Sequence, residues 1–362
     1  MRKVKTNNIQ IKNCCNVVTK KIDSSKLNKS TYVTAENMCA DFSGITNALS
    51  IPNGKVTEFS IGNILISKIR PYLKKNYFAQ INGGCSNDII CLEVQKGTFP
   101  KFVYYTLCAD QFIKYFSTTS TGSKMPRGDL KILLNYTIPN LNYLVQQKIA
   151  KILTKWDDAI ALQKQLIEKL EVQKSGLVKK LLTPQKGWAT FEFNDIFQKF
   201  KYSQKSLQTK DYLEHGKFPI VDQGKQFITG FTNDSNNLII CPSEGLIIFG
   251  DHTLVIKYIN FDFVLGGDGT QLLIGKKGQV TAFLYYLLDY NKLNSLGYSR
   301  HFSMLKEKTF DVPNISKQKE IVKILSKADK LIEIYSQKLD LLKCQRKALM
   351  QRLLTGAIRV KV

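Results

Sequence analysis

Residues 146–183 read QQKIAKILTKWDDAIALQKQLIEKLEVQKSGLVKKLLT, and residues 318–355 read QKEIVKILSKADKLIEIYSQKLDLLKCQRKALMQRLLT. The two stretches align without a gap at an offset of 172 residues. Identical pairs include Gln146/Gln318, Ile149/Ile321, Lys151/Lys323, Ile152/Ile324, Leu153/Leu325 and Asp157/Asp329. They continue through Ile160/Ile332, Leu170/Leu342, Gln173/Gln345 and the LLT that ends each copy. An ungapped match of this length is an internal repeat, and a repeat decides the architecture before any local reading.

Both copies are helical by pattern. Apolar residues recur in steps of three and four, no proline interrupts, and Lys, Gln, Leu and Glu are good helix formers. Pro139 and Pro313 punctuate the start of each copy, while Pro184, Gly187 and Gly356 mark the ends. Each helix spans about 38–40 residues, or ~60 Å. A seam runs through Ile149, Trp156, Gln163, Leu170 and Leu177, mirrored by Ile321, Ala328, Tyr335, Leu342 and Leu349; Ile160 and Ile332 extend the stripe. Such a stripe needs a partner, and the other copy is the natural one. Packing on the neighbouring domain alone, or pairing in a homodimer, would also cover it. Antiparallel pairing within the chain would create a pseudo-two-fold axis of the kind dimers use on palindromic DNA.

Working outward, the repeat brackets two segments of similar size and little mutual identity. The expected organisation is domain one at 1–138, a central helix at 139–185, domain two at 186–312 and a C-terminal helix at 313–362. In domain one, residues 59–75 read as strand, turn, strand, 87–94 as a buried strand, and 99–116 as one helix. In domain two, 236–259 and 263–275 are strand-rich and 281–296 is the corresponding helix. The fold class is α+β: two α/β domains separated by two long antiparallel coiled-coil helices in a pseudo-two-fold internal repeat.

Lys and Arg number 53 against 29 acidic residues, a net charge of +24 over 362 residues. A field of that size concentrates polyanions and speeds their capture. It points to nucleic acid ahead of an anionic membrane surface, although a ribosome-associated or merely basic protein would share it. No apolar run approaches the roughly 18 residues of a membrane span. The basic N-terminus has no apolar h-region, so a cytoplasmic location is expected. The eight cysteines form no C-x-x-C pair and there are only three histidines, which argues for reduced thiols and against zinc.

Candidate DNA contacts follow from chemistry. Lys68, Arg70, Tyr72, Lys74 and Lys75 mix cations with an aromatic ring, suited to a phosphate backbone or a base face; a solvated edge strand would look similar. The glycine-led loops TGSKMPRGDLK (121–131) and GYSRHFSMLK (297–306) hold Ser123, Lys124 and Arg127, and Tyr298, Arg300 and His301. Amides and cations at short range suit phosphates, and equally suit a solvated connector. Gln223, Lys225, His252, Thr253 and Lys257 supply further donors.

Catalytic motifs are missing. There is no N-P-P-Y or D-P-P-Y run for a flipped base and no P-loop. Gly266, Gly267 and Gly269 lack dinucleotide-fold spacing and read as a turn. Asp88, Glu93 and Gln95 echo a metal nuclease faintly, but strand alternation sets the two carboxylates on opposite faces.

The ordered set IPNLNYLVQQKIAKIL, VPNISKQKEIVKIL and LLTGAIRV resembles the specificity subunits of Type I restriction–modification enzymes. So do IGNILISKIRPYLKK, GWATFEFNDIF, HGKFPIVDQG, GLIIFGDHTLVIKY and GGDGTQLL, and the likeness covers essentially the whole chain. The resemblance implies two target recognition domains, each reading one half of a split double-stranded DNA site in the major groove. It implies helices that set the unread spacer and dock two methyltransferase subunits and, through them, restriction subunits. The chain itself would bind no cofactor; S-adenosylmethionine would belong to the methyltransferase, and ATP with Mg2+ to the restriction subunit. One departure is Trp188, typical at the opening of domain two, which has no counterpart in copy one. A Type II system with a fused partner would look the same. A basic scaffold that reads no bases, or a self-contained nuclease, are the readings from other classes.

Overall fold

The structure is a computed structural model that describes residues 8–117, 127–293 and 300–361. The chain forms two compact units: Met1–Lys164 with Gln337–Val362, and Gln165–Ser336. These units do not follow the linear partition at 138, 185 and 312. Each long helix is shared, half to one unit and half to the other, because its apolar stripe is longer than one small domain can cover.

In unit one, β1 (Asn8–Gln10), β2 (Cys15–Val17), β3 (Lys21–Asp23), β4 (Tyr32–Val33) and β5 (Lys55–Phe59) are followed by β6 (Ile64–Ser67), β7 (Asn76–Phe78), β8 (Gly83–Cys85) and β9 (Ile89–Val94). Helices α1 (Pro100–Cys108), α2 (Asp110–Ser117) and α3 (Leu130–Asn135) lead to β10 (Thr137–Pro139) and the long α4 (Tyr143–Leu182). One sheet has the order β2-β9-β6-β7 and is antiparallel throughout; the other is β3-β5-β8-β4, with β4 parallel to β8. β6 and β9 read as continuous apolar runs, ILIS and IICLEV, because the interior of the unit covers them. The single helix expected over 99–116 is two. Ala109 turns extended (ψ 144°), and Asp110 starts α2 with its carboxylate in the first turn, where the helix dipole favours it.

Unit two repeats the plan. It comprises β11 (Ala189–Glu192), α5 (Phe193–Ile196), β12 (Phe197–Lys199), β13 (Phe218–Val221), β14 (Gly230–Thr232), β15 (Leu238–Ile239) and β16 (Leu246–Gly250). There follow β17 (Ile256–Ile259), β18 (Phe263–Leu265), β19 (Thr270–Gly275), α6 (Thr281–Tyr290), α7 (Phe302–Lys306), β20 (Thr309–Val312) and the long α8 (Ile315–Leu354). The sheet β12-β19-β16-β17 has the topology of β2-β9-β6-β7, strand for strand. The pair β11–β20 matches β1–β10, each tying the start of its domain to the strand that feeds a long helix. Trp188 packs edge-on against Phe283 at 6.4 Å; unit one forms the same closing pair without a tryptophan. The second sheet differs: its order is β14-β13-β18-β15, with β13 parallel to β18.

α4 and α8 are each 40 residues long, and their halves run antiparallel inside each unit. In unit one, Asp157 meets Arg346 at 2.8 Å, while Lys148 reaches the carbonyl of Lys361. In unit two, Lys174 pairs with Asp329, while Leu182 shares a core with Ile321 and Leu325. Of the seam, Ile149 and Ile321 are buried in the domain cores, Ile149 alongside Leu349, Met350 and Leu353. Trp156, Ile160, Leu170, Ala328, Ile332 and Leu342 are half-buried, and Gln163 is buried. Leu177 is exposed, and its neighbour Val178 packs on the core in its place.

A hydrogen-bond latch is built twice. Gln146 accepts from the Phe99 amide (2.9 Å) and donates to the Leu141 carbonyl (2.7 Å). Gln318 accepts from the Val280 amide and donates to the Pro313 carbonyl, both at 2.9 Å. Each buried amide side chain thereby satisfies two backbone groups at the root of a long helix.

Candidate nucleic-acid interface

The β6–β7 turn carries the first cluster of candidates. Arg70 (φ 49°) and Lys74 (φ 55°) both adopt the left-handed conformation, flanking a single helical turn at Pro71–Leu73. Asp41 (φ 52°) and Phe42 (φ 58°) dock onto it, their amides donating to the carbonyls of Leu73 and Lys74 at 3.1 and 3.0 Å. Non-glycine residues in this region are strained, and strain persists only where the surroundings enforce it. Among the described residues five non-glycines have positive φ; four meet here, and the fifth, Leu254 (φ 57°), lies in the β16–β17 turn. That turn is the topological equivalent in unit two.

Arg127 and Gly128 lie against the same turn. Ile69 bridges Arg127, and the Gly128 amide donates to the Lys68 carbonyl at 2.7 Å. A Cβ on Gly128 would stand 2.1 Å from the Phe116 ring, so only glycine permits this approach. Arg127 is exposed, with its guanidinium 3.7 Å from Asp88. The structure therefore gathers Arg70, Tyr72 (53% exposed) and Arg127 around one turn, with Lys68 half-buried beside them. Lys74 and Lys75 have partners in the protein: Lys74 faces Asp110 at 3.4 Å, and Lys75 donates to the Ala35 carbonyl at 2.6 Å.

In unit two the β16–β17 turn receives the segment before α7 in the same manner. Buried Asp251 accepts from the Phe302 amide at 2.7 Å, and its carbonyl accepts from the His301 amide at 3.0 Å. Gln223 cross-links the turn: its Nε2 donates to the Asp268 carbonyl (2.7 Å), its Oε1 accepts from the His252 amide (3.2 Å), and its carbonyl accepts from Thr253 Oγ1 (2.7 Å). Gly269 (φ 76°) lets this network close, since a Cβ there would meet the His252 ring at 2.7 Å. The glycine cluster around Asp268 is the β18–β19 turn, as its spacing suggests.

Two candidates are corrected here. Lys257 is buried (4% exposed) and donates to the carbonyls of Asp222 and Gln226 at 2.8 and 2.5 Å. Burial lowers its pKa despite Asp222 nearby. His301 is wholly buried against Asp251. Both serve as internal supports. Lys225, Thr253 and Arg300 are exposed, and His252 is half-buried. Ser123, Lys124 and Tyr298 lie outside the described residues. Asp251 and the Asp41–Phe42 loop have no local sequence signature, and Asp88 stands in the sequence only as a faint nuclease echo. As for a nuclease centre, Asp88 is turned to Arg127 and Glu93 is exposed on β9.

The model of the type I restriction modification DNA specificity domain matches residues 3–172 and again residues 185–343. The chain belongs to the type I DNA specificity family. The chain is 26% identical over 303 residues to the type I restriction enzyme MjaVIII specificity subunit of Methanocaldococcus jannaschii, covering 72% of this chain and 70% of the relative. It is 27% identical over 160 residues to the EcoR124I/EcoR124II specificity subunit of Escherichia coli, covering 40% of each. A chain described as the MjaX specificity subunit of M. jannaschii matches at 26% over 245 residues, and the match spans 58% of that relative's length. The crystal structure of the Type-I restriction-modification system S subunit from M. genitalium shares the fold, with a TM-score of 0.62, 19% identity and 98% of each chain covered. The two specificity domains correspond to the two α/β bodies with their adjoining helix, so the paired turns occupy equivalent places in each domain.

Proposed function

We propose that this chain is the sequence-reading subunit of a type I restriction–modification enzyme and performs no catalysis. Each α/β body reads one half of a split site through the major groove, and α4 and α8 set the length of the unread spacer. The carrying observation is the twice-built turn: one position of one sheet, strained in both domains, beside exposed Arg70 and Arg127 in one and Arg300 in the other. A net charge of +24 supplies the attraction to phosphate.

The helices also dock two methyltransferase subunits and, through them, restriction subunits. Leu162 and Ile334 support this: they occupy equivalent positions of the repeat and are 65% and 48% exposed, offering like partners like apolar contacts. On this reading S-adenosylmethionine is held by the methyltransferase and ATP with Mg2+ by the restriction subunit. The assembly works in the cytoplasm, beside the DNA; among the described residues no helix is long and apolar enough to cross a membrane.

Single-molecule methylation mapping of DNA from cells with and without the gene tests the reading. A split motif modified only when the gene is present supports it. Identical methylation in both strains refutes it.

A further inference from the structure

Each unit contains a junction at which one carboxylate joins three elements. In unit one, Asp157 of α4 accepts from the Tyr105 hydroxyl of α1 at 2.7 Å with one oxygen, and from Arg346 Nε of α8 at 2.8 Å with the other. The Arg346 guanidinium also lies 5.8 Å from the centre of the Tyr105 ring, and Thr154 sits 3.1 Å from the same hydroxyl. In unit two, Asp329 of α8 accepts from the Tyr286 hydroxyl of α6 at 2.5 Å and pairs with Lys174 of α4 through its other oxygen. Asp157 and Asp329 are equivalent in the repeat, as are Lys174 and Arg346; the tyrosines stand in FVYYTL and FLYYLL. The whole constellation is duplicated.

Its geometry restricts motion. A carboxylate with one oxygen on the α/β body and the other on the opposite helix resists rocking of that body about the helix pair, because rocking stretches a charge-assisted hydrogen bond. Both phenols are pushed far up by burial and by the carboxylate beside them, so each hydroxyl stays a donor. Burial opposes the charge on Arg346, and Asp157, helped by Cys108 and Tyr105, offsets that.

We propose that Tyr105–Asp157–Arg346 and Tyr286–Asp329–Lys174 are positioning residues that fix each reading body on the helices and so hold the spacer to a single length. This inference rests on the sequence-reading function above. No residue of either junction need touch DNA; the effect passes through the angle of the domain.

The experiment is methylation mapping in cells carrying the full-length gene as wild type, Tyr105→Phe, Tyr286→Phe, Asp157→Asn or Asp329→Asn. The phenylalanine variants keep the ring packing and remove only the hydroxyl. The expected result is unchanged half-sites, with targets one base pair longer or shorter in the spacer modified about ten-fold more than in wild type, the scale of one lost charge-assisted bond. Asp157→Asn should relax the spacer more than Asp329→Asn, because Arg346 is the less exposed cation (13% against 26%). A single unchanged spacer in all four variants, at whatever level of modification, overturns the proposal. So does loss of all modification in both phenylalanine variants, which would make the junctions requirements of folding. If wild type itself yields no split motif, the sequence-reading function fails first, before any variant is compared.

Discussion

The two units agree where they meet the long helices and differ where they do not. The sheet next to the helices, the closing strand pair, the glutamine latch and the tyrosine–aspartate junction occur in both. The second sheets share a three-strand core, β5-β8-β4 and β15-β18-β13, but add their fourth strand on opposite edges: β3 pairs with β5, whereas β14 pairs with β13. The turns between β6 and β7 and between β16 and β17 keep their place and their strain, but their residues change from SKIRPYLKK to DHTLV. Parts that must fit a duplicated helix pair are constrained to stay alike. Parts that face elsewhere carry no such constraint, and two different half-sites would require them to diverge.

The comparison breaks most visibly in the cores. Leu153 and Leu325 are equivalent and wholly buried, so Leu153→Ala and Leu325→Ala should each destabilise their own unit by about 2–5 kcal/mol. Denaturant unfolding of the full chain should show similar losses; a several-fold inequality would mean that the shared framework is only superficially alike. Next come the latches. Gln146→Ala and Gln318→Ala each strand a partly buried amide and a carbonyl, which should cost about 1–3 kcal/mol, read from the same curves.

The turns sharpen the contrast on the DNA side. Replacing Arg70 or Arg300 with Ala should cost about 1–3 kcal/mol at one base-pair position if the side chain reads a base, and weaken all sequences alike if it holds a phosphate. A panel of single-base target variants distinguishes the two outcomes, and the two arginines should affect opposite half-sites. The smallest effect is electrostatic. The bond from Lys347, then Lys74, holds the Asp110 carboxyl below its ordinary value. Its stabilisation is therefore present above the ordinary carboxylate pKa and is lost as pH falls through the lowered one. The pair is largely exposed, so Asp110→Asn should remove an acid-dependent contribution of only about 0–1 kcal/mol, seen as a flatter melting profile at low pH.

The repeat was legible because helix periodicity and an ungapped offset are local signals. The long helices begin within three residues of the aligned stretches, and β9 and β19 fall inside the apolar runs that suggest them. The break at Ala109 was not legible, since 102, 105, 108, 112 and 116 keep helical spacing across it; Asp110 prefers to start a new helix where Lys74 and Lys347 can reach it. Of the candidate site, exposure was legible for some residues only. Arg70, Tyr72, Arg127 and Arg300 are exposed at the equivalent turns, but Lys257 and His301 look like surface donors in sequence and are internal supports. Nothing in their neighbours distinguishes a lysine that caps carbonyls from one that meets phosphate.

By itself the sequence determined that one helix is written twice, that two dissimilar α/β bodies lie between and before the copies, and that the whole is strongly basic. These are properties of spacing and composition, which a chain carries before it folds. The tertiary structure decided which half of each helix serves which body, and that a loop distant in sequence docks on the β6–β7 turn. It also decided that a tyrosine and a cation from two other elements converge on the carboxylate of one helical aspartate. Those outcomes depend on long-range burial and on satisfying buried polar groups, and the partners in such contacts are chosen by geometry, not by neighbours along the chain.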